Sequence, residues 1–89
     1  SLTMPRVIRG QVKDAQGENL PGVNVTVKGT TDGTVTDGEG NYTLTTPIEK
    51  PELIFSFIGL QTAEVAATDK KTVDVTLEED TGQLSEIVV

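Results

Sequence analysis

The stretch Leu20–Tyr42, LPGVNVTVKGTTDGTVTDGEGNY, decides how this chain is read. Pro21 followed by Gly22 is the pattern of a type II turn, with proline fixing φ at the second position and glycine free to take positive φ at the third. Val23, Val25 and Val27 then alternate with Asn24, Thr26 and Lys28. Period two with β-branched residues on one face predicts a half-buried strand. Gly29–Gly33 turns the chain. Thr34-Val35-Thr36 is a short strand in which either Val35 or both threonines face inward. Asp37-Gly38-Glu39-Gly40 turns it again into a strand over Asn41–Thr45, with Tyr42 and Leu44 inward.

The same grammar extends both ways. Upstream, Val7–Lys13 alternates Ile8, Gly10 and Val12 with Arg9, Gln11 and Lys13. Gly10 in mid-strand predicts a bulge or a close backbone approach. Asp14–Asn19 is a polar connection. Downstream, Glu52–Ile58 is apolar on both faces, is too short for an ordinary helix and lies between Pro51 and Gly59. It predicts a central strand buried on both sides, or covered on one by a neighbouring segment. Leu60–Ala66 is a weaker strand. Val73, Val75 and Leu77 alternate with Asp74 and Thr76 in a last clean one. Seven short strands with turn signals between them and no helical window predict an all-β sandwich of two sheets.

Composition narrows the function. With 89 residues, three aromatics and no Trp, the chain builds one domain with a thin core and no room for a deep substrate cavity. It has no Cys and no His. That removes a thiolate nucleophile, a histidine base, a disulfide framework and a Cys/His zinc site. A net charge of −7 repels phosphate backbones and anionic membranes, so neither nucleic acid nor a lipid surface is expected as a partner. No apolar run approaches the ~20 residues of a spanning helix. The lysines stand at strand ends and in loops, where solvated charge is the ordinary reading, and the glycine-rich turns lack the helix and Lys-Ser/Thr ending of a phosphate cradle. A Lys–Asn crosslink lacks a suitably placed Asn in the last strand. Asp32, Asp37 and Glu39 crowd two glycine turns without the ligand spacing of a calcium loop, and Asp37 reads as a turn cap. No cofactor and no catalytic residue is expected.

Residues 1–6 read as tag or linker, 7–77 as the domain, and 78–89 as an acidic linker leading into a connector. Both ends read as cut boundaries. The apolar Leu84, Ile87, Val88 and Val89 read either as a sticky edge or as a strand intended for a partner's sheet.

Joint motifs carry a resemblance. Gly10-Gln11-Val12-Lys13-Asp14 with Gly17, Leu20-Pro21-Gly22-Val23-Asn24-Val25, Val27-Lys28-Gly29-Thr30-Thr31, Gly40-Asn41-Tyr42, Phe55-Ser56-Phe57-Ile58-Gly59 and Val73-Asp74-Val75-Thr76-Leu77 together resemble the carboxypeptidase-regulatory-like domain at the N-terminus of SusC/RagA-class TonB-dependent outer-membrane receptors of Bacteroidetes. Leu60 stands where that pattern commonly has Tyr. The resemblance implies a transthyretin-like (prealbumin-like) seven-stranded sandwich on the periplasmic face of the outer membrane. It implies a non-catalytic accessory domain of a glycan or peptide importer, acting through protein partners or the rest of its own chain. The competing readings are a carbohydrate-binding module, disfavoured because all three aromatics are expected inward, a structural β-sandwich module of another bacterial surface protein, and a small hydrolase.

Overall fold

The computed structural model describes residues 5–80. It contains β1 (Arg6–Asp14), β2 (Asn24–Val27), β3 (Gly33–Val35), β4 (Asn41–Thr46), β5 (Glu52–Ser56), β6 (Ala63–Ala66) and β7 (Val75–Leu77). They form a three-stranded sheet, β4-β1-β7, and a four-stranded sheet, β3-β2-β5-β6. Every pairing is antiparallel except β1 with β7, which is parallel. The seven-stranded, two-sheet sandwich expected from the sequence is the observed fold.

The alternation that predicted the strands is the alternation that builds the core. Ile8 and Val12 of β1, Val25 and Val27 of β2, Tyr42 and Leu44 of β4, and Leu53 and Phe55 of β5 are all buried between the sheets. Tyr42 and Phe55 meet edge-on across the core, with ring centroids 5.6 Å apart. The turn at Pro21–Gly22 is present, with Gly22 at φ 80°. Of the two facings open for residues 34–36, the threonine one holds at Thr36. Val35 is 53% exposed, whereas Thr36 is 4% exposed. Its hydroxyl accepts the Val23 N–H at 2.8 Å and donates to the Leu20 carbonyl at 2.6 Å. A buried Thr here satisfies two backbone groups that a Val would strand.

Three expectations are corrected. The apolar run 52–58 is not one strand buried on both faces. β5 stops at Ser56, Ile54 faces outward only half-buried, and Ile58 sits at a turn 90% exposed. Gly59, at φ 84°, closes that turn and takes residues 57–59 off the ladder. Phe57 is not fully inward. It is partly buried against the rim of the core, near Gly22. The last strand is shorter than its alternation suggested, because Gln11 N–H, on the partner strand, is taken by the Asp74 side chain at 2.9 Å rather than by a backbone carbonyl.

Gly10 explains that break. A Cβ there would lie 1.8 Å from the Val73 carbonyl oxygen and 2.8 Å from the Tyr42 ring. The expected close backbone approach is therefore present, and Tyr42 fills the space above it, its hydroxyl donating to the Val73 carbonyl at 2.6 Å.

Candidate functional site

The carboxylates singled out from sequence do not converge. Asp32 and Asp37 flank β3, whose extended backbone separates them by about 16 Å. Asp32 Oδ2 accepts from the buried Thr46 hydroxyl at 3.4 Å. Asp37 Oδ1 accepts the backbone N–H groups of Glu39 and Asn41 at 2.9 and 3.0 Å. Asp37 thus caps its turn. Asp14 does the same upstream, accepting from Gln16 and Glu18 N–H at 2.9 Å each. Among the described residues no group of three or more acidic side chains is placed to hold a metal ion.

Two regions remain that can act on something outside the domain. The first is the corner where the described chain leaves the sandwich. Glu78–Asp80 does not hang free of the domain. Gln61 N–H donates to the Glu78 carbonyl at 2.8 Å, Asp80 N–H donates to the Gly59 carbonyl at 3.1 Å, and Leu60 pairs with Glu79 in an antiparallel bridge. These bonds carry the chain from the three-stranded sheet across to the loop after β5, beside exposed Ile58. Sequence reading missed this pairing because Glu78-Glu79-Asp80 carries no apolar alternation. Leu84, Ile87, Val88 and Val89, the residues expected to contact a partner, lie outside the described residues.

The second region is at the opposite end of β1. The Arg6 guanidinium donates to the carbonyls of Glu49 at 2.7 Å and Lys70 at 2.6 Å, and also to that of Thr68. One side chain thereby ties the loop before β5 to the loop after β6. Arg6, Arg9 and Lys71 line a shallow groove of about 360 Å³ with Pro5 and Val7. No carboxylate lines it. On the outer face of the other sheet Lys28 Nζ is paired, 3.4 Å from Glu64 and 3.6 Å from Glu52. Hydrogen bonding to Glu64, then its charge, raises the Lys28 pKa, but all three side chains are at least half-exposed and such pairs are worth little.

Among the described residues the Tyr42 phenol is the one buried titratable group in the core. Burial, with the nearby Asp74 carboxylate as the lesser cause, pushes its pKa well above the ordinary tyrosine value. It holds backbone and is closed off from any ligand.

Comparison with known proteins follows the same line. The family model described as CarboxypepD_reg-like domain matches residues 8–89. A TonB-dependent receptor of Formosa agariphila is 40% identical over 89 residues, which are all of this chain and 9% of that protein. TonB-dependent receptor SusC of Bacteroides thetaiotaomicron is 43% identical over 82 residues, 92% of this chain and 8% of that one. The chain therefore spans less than a tenth of these relatives. Among solved structures, a chain of a type II cohesin–X–dockerin complex from Acetivibrio cellulolyticus matches with TM-score 0.64 at 17% identity, covering 80% of this chain and 52% of its own. Catechol 1,2-dioxygenase from Acinetobacter matches with TM-score 0.64 at 13% identity, covering 100% of this chain and 57% of its own. At such identities these likenesses concern the β-sandwich alone.

Proposed function

The chain belongs to the CarboxypepD_reg-like domain family, and from that premise we propose that it is a non-catalytic accessory domain of a TonB-dependent outer-membrane receptor, lying on the periplasmic side. The observation that carries this is the near-complete match of the chain to under a tenth of receptors so named. A module of that proportion acts on the rest of its chain or on protein partners, through assembly or coupling of the receptor. In this reading the imported substrate is a glycan or a peptide.

The geometry is in keeping with such a role. The interior is filled by side chains, the carboxylates are spent on turns and strand ends, and the outgoing chain is pinned to the sandwich by Glu78–Asp80. A segment held in that way passes a displacement of the following chain to the domain body. Leu84, Ile87, Val88 and Val89 are proposed as the residues by which the chain beyond the sandwich meets a partner strand.

The coding sequence on either side of these 89 residues tests the assignment. An export signal upstream with a plug and β-barrel downstream is the expected result. A flanking catalytic domain without a barrel contradicts it.

A further inference from the structure

The outer face of the three-stranded sheet is chemically unlike the rest of this acidic chain. Its outward positions alternate with the buried Ile8 and Val12. They present Val7, Arg9, Gln11 and Lys13 along β1, with Thr43 and Thr45 of β4 on one side and Thr72 and Thr76 on the other. Arg9 and Lys13 are four residues apart in one strand, about 13 Å. The groove of Arg6, Arg9 and Lys71 opens at one end of this face. Asp74, the carboxylate among these strand positions, keeps its charge while it accepts the Gln11 N–H, and it lines a shallow pocket together with Lys13. In a chain with 14 acidic residues and 7 basic ones, this hydroxyl-lined face sets Arg9, Lys13 and Lys71 against Asp74, with Glu49 and Asp69 in the neighbouring groove that shares Arg6 and Lys71.

We propose that this face docks an acidic, extended segment of another polypeptide, its carboxylates set against Arg9, Lys13 and Lys71 and its other polar groups against the threonine hydroxyls. Charge complementarity selects the occupant. A short segment interacts only with charges within a Debye length, about 8 Å at physiological salt, and so meets the cationic face alone. An anionic membrane is an extended plane that meets the whole molecule, whose charge is −7. The apolar side chain exposed on this face is Val7, which is shorter than the Trp, Phe and Leu side chains that insert into a headgroup layer. The strand scaffold fixes the cations before binding, and the Arg6 clamp fixes the loop that carries Lys71, so little ordering cost remains to oppose a modest electrostatic gain.

The inference names a surface for the protein contact of the receptor reading and rests on that reading. Its test uses the 89-residue chain alone, so its failure is separate from a failure of the flanking-sequence test. Hexaglutamate is titrated into the isotope-labelled chain at about 0.15 M salt, where the screening length is about 8 Å, and followed by amide chemical shifts. The expected result is a perturbation confined to Arg9, Lys13, Thr43 and the 71–72 segment, abolished by raising the salt. The charge reversals R9E and K13E together weaken it about tenfold, while K28E on the other sheet leaves it unchanged. The wild-type map stands by itself if the double variant fails to fold. No perturbation, a perturbation centred on the other sheet, or binding to phosphatidylglycerol vesicles without binding to hexaglutamate overturns the proposal.

Discussion

The Tyr42 hydroxyl donates to the Val73 carbonyl at 2.6 Å, directly above Gly10. In an unbroken parallel ladder that carbonyl would accept from β1, since Val73 N–H already donates to the Arg9 carbonyl at 2.8 Å. Instead two side chains repair the gap: Tyr42 takes the carbonyl, and Asp74 takes the Gln11 N–H. Gly10→Ala forces a methyl into the Val73 carbonyl, where backbone must move. The expected loss is about 3 kcal/mol, the upper part of the overpacking range. Tyr42→Phe leaves the carbonyl unpaired and costs about 2 kcal/mol. Urea unfolding measures both, and equal stabilities for the three proteins would contradict this arrangement.

The same phenol sets an alkaline limit. Its folded pKa is raised above the unfolded value of about 10 because burial, and secondarily Asp74, disfavour the tyrosinate. A raised folded pKa means that the stabilisation is complete below about pH 10 and is lost as pH rises beyond it, since only the unfolded chain readily gives up the proton. Tyr42 is the only Tyr and there is no Trp, so tyrosinate absorbance reports this one group. Ionisation is expected to coincide with unfolding, and the extra alkaline loss is expected to vanish in Tyr42→Phe. Tyrosinate formation at pH 10 in the folded chain is the contrary result.

Thr36 is a second buried polar repair. Thr36→Val preserves shape but strands the Val23 N–H and the Leu20 carbonyl. A loss of about 2–3 kcal/mol is expected in urea unfolding, with Thr36→Ser recovering most of it. A neutral Thr36→Val would show that the hydroxyl bonds are not made.

Asp37 separates turn chemistry from metal chemistry. Asp37→Ala removes two backbone acceptor contacts and is expected to cost about 1 kcal/mol. Added calcium is expected to leave the melting temperature of the wild type unchanged. A calcium-dependent rise abolished by Asp37→Ala would restore the loop as a cation site.

Ile58 and Phe55 stand three residues apart in one apolar run and have opposite fates. Phe55 is wholly buried, so Phe55→Ala is expected to cost about 3–5 kcal/mol. Ile58→Ser, at a 90% exposed site, is expected to stay within about 0.5 kcal/mol of the wild type. Thermal or urea unfolding that ranks them alike would return residues 57–58 to the core.

These two residues also mark where sequence stops being informative. Val23, Val25 and Val27 declare their face because polar residues separate them, and Gly10 signals a bulge or a close approach because glycine weakens a strand interior, the structure deciding for the close approach. In Leu53–Ile58 every position but Ser56 is apolar, so period gives no facing, and only the turn at Gly59 decides that Ile58 leaves the sheet. The Arg6 clamp ends on backbone carbonyls and the 59–61 to 78–80 pairing is made by backbone bonds, so both join residues far apart in the chain without a constraint on the side chains of the residues they reach. The cationic face was hidden for a related reason. Arg9 and Lys13 read as ordinary outward residues of β1, and their grouping with the β4 and β7 threonines, with Asp74 as the carboxylate between them, appears only once β4 and β7 are set beside them.

Deleting residues 7–77 from the intact receptor, with surface level and uptake measured together, tests the central claim most directly. The account predicts impaired receptor assembly or impaired uptake with no lost enzymatic activity. Wild-type assembly together with wild-type uptake would contradict it.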